Sequence, residues 1–296
     1  MDLQRIAKSI LPAGAVASLR RAKWERERRR IASLTPLSEE DFRSILIEQL
    51  GVRAGDLVYV HSGMDGLNLA FPFYRILSLI QEVIGPGGTV IFPTYPNHRI
   101  SSYEYLLQGK VFDVRQTPSY TGILTEFARR QRNAVRSLHP TKSVCAIGAV
   151  APEITSSHHL SPYPYDTGSP YYKLIEAGGK IIGLGATTNY VSFGYCVDDA
   201  LKEKFPVRVY HDRIFDAACI NYQGDRVVVR TYAHDMSTVV HPDMPRWMKT
   251  YVSAEACRDL SVRGMKFFRA SAPKLFAEMM ELAGRDIIAY PRSVRR

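Results

Sequence analysis

Short unbroken apolar runs separated by amphipathic stretches recur along most of this chain, and that alternation predicts an α/β fold. Leu57-Val58-Tyr59-Val60, Thr89-Val90-Ile91-Phe92, Val144 to Ile147 and Lys180 to Leu184 carry almost no polar alternation. Such runs are expected of strands buried on both faces. Turns at Gly55-Asp56, Gly85-Pro86-Gly87-Gly88 and Gly178-Gly179 lead into three of them. Between the strands the period changes. Ser38, Glu39, Glu40 and Asp41 open a helix expected to run to about Leu50, a second is expected from about Phe73 to Ile84, and Gly122, Ile123, Leu124, Phe127 and Ala128 give a third one apolar face. The predicted layout is a mainly parallel or mixed central sheet flanked by helices. Ligands in such sheets bind beyond the carboxyl ends of the strands, where His61, Thr94, Ser143 and Thr187 are expected. Beyond Phe205 the pattern weakens to two strands, Val207 to Val209 and Arg226 to Arg230, with a hairpin expected around Gln223-Gly224-Asp225.

The first 36 residues read as a separate basic helical leader, and residues 37–296 as one α/β domain. Leu3, Ile6, Ala7, Ile10 and Leu11 form one stripe beside Arg5 and Lys8, and Pro12 and Gly14 are expected to divide the leader into two helices. Of the net charge of +10, most sits here: residues 1–35 hold nine Lys or Arg against three acids. Three uses compete for such a leader. It packs on the body, it makes a homo-oligomer contact, or it lies on a membrane surface through residues 1–32. Nucleic acid is not expected as a partner, because Trp24 stands alone among the charges. With neither a spanning apolar run nor a signal-peptide pattern, the expected location is cytoplasmic, in one reading peripheral to the inner face of the membrane. Cys145, Cys196, Cys219 and Cys257 lie far apart with no CxxC and read as reduced thiols. His158-His159 lacks a spaced third ligand, so no metal is expected.

Candidate chemistry gathers in two places. His61-Ser62-Gly63-Met64 follows a strand and precedes a helix, which presents backbone N–H groups suited to a phosphate. The segment from Phe112 to Gly148 brings Thr117, Ser119, Arg136, His139, Lys142 and Ser143 towards one region. Each has a plain alternative: Thr-Pro-Ser is turn chemistry, Arg136 a surface ion-pair partner, His139 a loop brace, Lys142 a solvated side chain.

These blocks, GDLVYVHSGMDGL, IGPGGTVIFPTY, FDVRQTPSYTGILTEFAR, VRSLHPTKSVCAIG and GSPYYKLIEAGGKIIGLG with a faint GMKFFRASAPKLFAEMMELA, resemble the aminoglycoside 3-N-acetyltransferase (antibiotic N-acetyltransferase) family in the family's order. The resemblance covers roughly residues 37 to 288. It implies acetyl-CoA, or another acyl-CoA, as co-substrate and a small-molecule amine as acceptor. It also implies a base, a histidine paired with a glutamate, just after the Gly179–Gly185 block. Here Tyr195 stands at the histidine position and Asp198 at the glutamate position, and Lys142 replaces the second histidine of the family's HPTHS block.

A tyrosine titrating near 10 is a poor base at neutral pH. Three readings of the altered segment follow. Asp198 or Asp199 serves as base with Tyr195 holding the acyl group; a histidine such as His139 or His211 replaces the base; or catalysis is lost and the fold binds CoA or a sugar, or scaffolds a partner. On the resemblance, Asp198, Tyr195 and His139 are the expected catalytic residues. His61, Ser62, Gly63, Met64, Thr117, Ser119, Arg136, Lys142 and Ser143 are the expected CoA-binding residues. His234, Asp235, His241, Asp243 and Trp247 suit an acceptor wall. The chain's basic charge favours an amino sugar of a cell-envelope polysaccharide intermediate over a polycationic aminoglycoside, which remains the alternative acceptor.

Overall fold

A computed structural model of the chain describes residues 13–239 and 243–290. The strands are β1 (Leu57–Ser62), β2 (Thr89–Pro93), β3 (Phe112–Asp113), β4 (Val135–Arg136), β5 (Val144–Gly148), β6 (Lys180–Leu184), β7 (Tyr210–Ile220), β8 (Arg226–His234), β9 (Cys257–Val262) and β10 (Met265–Ser271), and the four unbroken apolar runs form β1, β2, β5 and β6 as expected. Seven of them make one mixed sheet in the order β4-β5-β2-β1-β6-β10-β9. Its centre is parallel, β1 pairing with β2 on one side and β6 on the other. Antiparallel strands β5 and β10 continue it outward. Because β1, β2 and β5 are buried along most of their length, both faces must be covered, and two apolar clusters cover them. Phe42, Leu46, Ile76 and Ile80 pack on one face, and Tyr165, Tyr171, Phe193 and Leu275 on the other.

The long hairpin β7-β8, joined by β3, makes a second, three-stranded sheet. It replaces the shorter hairpin expected from sequence: Val207 to Val209 lies before β7, and β8 runs on to His234. The half-buried alternation of these strands gives a weaker signal than an unbroken apolar run.

Of the leader, the structure describes a helix over Ala13–Ala32, with Gly14 inside it; the helix expected before Pro12 lies outside the described residues. One glycine near a helix end costs only about 1 kcal/mol relative to alanine. The helix is tied to the body at its carboxyl end. Ile31 is buried in the core, Arg30 donates from Nη1 to the Gly264 carbonyl at 3.0 Å, and Lys266 reaches Glu27 at 3.3 Å. The apolar stripe from Leu3 to Leu11 and Pro12 lie outside the described residues, as does His241. Among the described residues no helix is long and apolar enough to cross a membrane.

Candidate active site

Strands β1, β2 and β6 end on the same edge of the sheet, and the chain leaves β1 towards one neighbour while the other, β6, arrives later. That reversal opens a crevice beyond the carboxyl ends. Here it is a cleft of about 900 Å³, lined by His61, Ser62 and Gly63 after β1, Pro93 and Tyr95 after β2, and Gly185, Ala186, Thr187 and Ser192 after β6. Its floor is backbone. A Cβ on Gly63 or Gly66 would collide with the Gly185 carbonyl, so these loops meet only because all three residues lack side chains. Gly185 itself adopts φ +65°, a conformation that glycine takes without strain.

His61 stands on this floor, packed 5.0 Å from the Tyr59 ring and 5.8 Å from that of Phe268. Among the described residues its Nε2 has no hydrogen-bond partner, nor has the Ser62 hydroxyl. Burial pushes the imidazole down to about 4, so it is neutral at neutral pH. Unpartnered buried polar atoms cost free energy that a ligand can recover. Tyr95 carries its hydroxyl 2.8 Å from that of Tyr171 and 3.5 Å from Ser192 Oγ, adding movable protons to the wall. Asp65, exposed at the cleft edge, is placed to attract an ammonium.

Of the residues singled out from sequence, His61, Ser62, Gly63, Thr187 and Asp243 line the cleft. The other expected CoA-binding and catalytic residues do not, and each has a definite occupation. Met64 packs on the core beside Leu67. Thr117 Oγ1 accepts from the Asp113 N–H at 2.8 Å, and Ser119 Oγ meets Thr121 Oγ1 at 2.8 Å behind the wall. Arg136 is buried, its guanidinium bonded to Thr94, to Ser143 Oγ and to the Thr117 carbonyl. Ser143 Oγ in turn donates to the Thr94 carbonyl at 2.8 Å. His139 is fully buried, and its Nδ1 accepts from the Lys142 N–H at 3.0 Å. That bond braces the loop at Pro140. Lys142 places its ammonium 5.0 Å from the centre of the Tyr95 ring, and burial lowers it to about 8.

Tyr195 and Asp198 begin a short helix, Tyr195–Leu201, behind the cleft. The Tyr195 ring lies 4.3 Å from His234 and 5.2 Å from Tyr165, and burial raises its phenol. Asp198 accepts from the Tyr290 hydroxyl in an apolar enclosure, and burial raises its carboxyl well above the usual range. Asp199 accepts from the Tyr165 N–H and the Tyr210 hydroxyl, each at 2.7 Å. Burial, opposed by those bonds, pushes it up to about 7. Between pH 4 and 7 the native state therefore keeps a proton that the unfolded chain has released, and stability falls as pH rises through that window. At about 1.4 kcal/mol per unit the loss reaches about 4 kcal/mol, and Asp198, raised by burial, contributes in the same direction. Thermal denaturation across pH 4.5 to 7.5 is expected to show this slope, and Asp199→Asn to flatten it.

Sequence reasoning missed Tyr95, Thr121, Asn189, Tyr190 and Ser192, along with Lys23, Trp24 and Arg28 of the leader. The position of Tyr95 directly after β2 was the available signal for the first. Nothing local marks the leader residues. Among the described residues no group of three His, Cys, Asp or Glu side chains is placed to hold a metal ion.

The family model for aminoglycoside 3-N-acetyltransferase matches residues 60–283, most of the chain and all of the cleft floor. The chain belongs to that family. An aminoglycoside N(3)-acetyltransferase III from Salmonella is 31% identical over 160 residues, which is 49% of this chain and 55% of that protein. The chain thus aligns with about half the length of the curated relatives it matches. Solved structures align over more: AAC-IIIb in its binary complex with CoASH superposes with a TM-score of 0.69 at 20% identity, over 85% of this chain and 98% of the other. AAC-VIa bound to sisomicin gives 0.68 at 25% identity, over 85% and 99%. Family membership and shared fold bear out the resemblance seen in the sequence.

Proposed function

We propose that the protein is an acyl-CoA-dependent N-acyltransferase that moves an acetyl group from acetyl-CoA to an amine of an aminoglycoside-type amino sugar. The observation that carries this is the open cleft above a glycine floor, on a family fold, lined by His61 and Ser62, whose buried Nε2 and Oγ have no hydrogen-bond partner among the described residues. The names of the relatives support the aminoglycoside acceptor; nothing in them supports the cell-envelope intermediate expected from charge.

The acyl thioester fits along the β1 and β6 loops, where close backbone approach and the Ser62 hydroxyl can bond a developing oxyanion. An acceptor ammonium is attracted by Asp65, and its neutral amine attacks the thioester carbon. The C–N bond forms, the C–S bond breaks, and the proton shed by nitrogen needs an acceptor. His61 supplies one. It is neutral, it stands in the cleft, and it requires no prior deprotonation at neutral pH. Asp198 is enclosed and paired with Tyr290, so in this reading the Tyr195/Asp198 positions hold the helix rather than the proton.

Mixing the enzyme with acetyl-CoA and an aminoglycoside such as sisomicin is expected to release free CoA thiol, read with a thiol reagent, and to yield a product heavier by one acetyl group. Tight CoA binding with no thiol release from any amine tested would instead establish a non-catalytic binding protein.

A further inference from the structure

The Ala13–Ala32 helix precedes the residues that match the family, yet it forms the outer wall of the cleft. Trp24, Arg28 and Ile31 recur at four- and three-residue spacing and so share one face. Ile31 anchors that face in the core, and the two residues above it look onto the cleft. Trp24 remains 46% exposed, with the Arg28 guanidinium 5.5 Å from its ring centre. Lys23 lines the same wall, and among the described residues neither Lys23 nor Arg28 has a carboxylate partner. Glu27, the acid between them, is already engaged by Arg30 at 2.9 Å and Lys266 at 3.3 Å. Tyr190, which also lines the cleft, is a second exposed aromatic, 65% accessible.

A flat aromatic surface flanked by two cations, with a second exposed aromatic ring lining the same cleft, suits a planar base carrying phosphate. Bases stack on aromatic faces, and guanidinium and ammonium groups neutralise phosphate. We infer that Lys23, Trp24, Arg28 and Tyr190 form a nucleotide subsite at the mouth of the cleft, built by the leader helix. This deepens the transferase reading and rests on it, since two sources of nucleotide then exist: the 3′-phosphoadenosine diphosphate end of CoA, or a nucleotide carried by the acceptor. Neither membrane contact nor self-association is needed to account for the charge on this face.

Calorimetric titration of the full chain separates the cases. Wild type, Trp24→Leu and Lys23→Gln/Arg28→Gln are each titrated with CoA, pantetheine and a uridine-diphosphate amino sugar. CoA affinity is expected to fall about tenfold in both variants, with pantetheine affinity unchanged and CoA binding in the charge variant losing much of its salt dependence. A fall confined to the nucleotide sugar assigns the same subsite to the acceptor. Unchanged affinity for both nucleotides in folded variants overturns the inference while leaving the transferase reading intact. If wild type binds no CoA, it is the transferase reading that fails, and the nucleotide-sugar titration still decides the subsite.

Discussion

Replacing His61 by alanine is expected to lower kcat about 10²- to 10⁴-fold, the range associated with loss of a positioned base, with CoA affinity changed far less. The expectation follows from geometry before titration. His61 lies on the cleft floor, wedged between Tyr59 and Phe268, and its Nε2 has no partner among the described residues. Gly183, facing it across the β1–β6 ladder, has no Cβ, and a Cβ there would collide with Phe268. The imidazole is therefore oriented by packing. Its lowered value of about 4 sets the pH profile. The free base persists as pH falls from 8 to 5, and the His61 contribution to kcat/KM is lost only as pH drops through about 4. A rise in rate with pH in the neutral range would report the acceptor ammonium instead. Asp198→Asn is the informative companion, because an amide can still accept from Tyr290; its turnover is expected to stay within a few-fold of wild type. A His61→Ala enzyme as fast as wild type with an unchanged melting temperature, or an inactive but folded Asp198→Asn enzyme, would return the proton transfer to the Tyr195/Asp198 segment.

Arg136→Met is expected to destabilise the protein by about 3 kcal/mol, with Tm lower by roughly 6 to 12 °C for a chain of this size. Where the variant remains folded, CoA affinity is expected to be unchanged. Arg136 was among the residues expected on the resemblance to bind CoA. In the structure its guanidinium is turned inward, beneath the Phe112 ring at 4.7 Å, joining the loop after β2 to the Thr117 turn and to the start of β5. Burial, with repulsion from Arg129, lowers it only to about 10, so it stays charged at neutral pH. Methionine fills much of the volume but leaves the Thr117 carbonyl without its donor, and an unmade buried bond costs about 1 to 3 kcal/mol per group. The measurement is a denaturation curve paired with a CoA titration at low temperature. A folded variant of wild-type stability that had lost CoA binding would reverse the assignment and make Arg136 a ligand of the phosphate.

The sequence alone determined the central sheet and its covering helices, because an unbroken apolar run such as Leu57 to Val60 has no stable place except between two packed layers. It also determined the family, since the ordered blocks from Gly55 to Ala283 are a local, linear signal. It marked His61, Ser62 and Gly63 correctly as residues at a strand end. What it could not determine is which way a side chain turns once it arrives near the cleft. Arg136, His139 and Ser143 sit in blocks that looked functional, yet bonds to Thr94, Thr117 and Lys142, distant or local, draw them into the interior. Asp198 was expected on the resemblance to be catalytic, yet Tyr290, 92 residues further on, bonds its carboxylate. Conversely Trp24, which read as an isolated aromatic in a charged leader, reaches the cleft only because Ile31, Glu27 and Arg30 dock the helix against Gly264 and Lys266. Apolar periodicity is written residue by residue along the chain, whereas the partner that satisfies a polar group is chosen by whichever distant segment folding brings beside it.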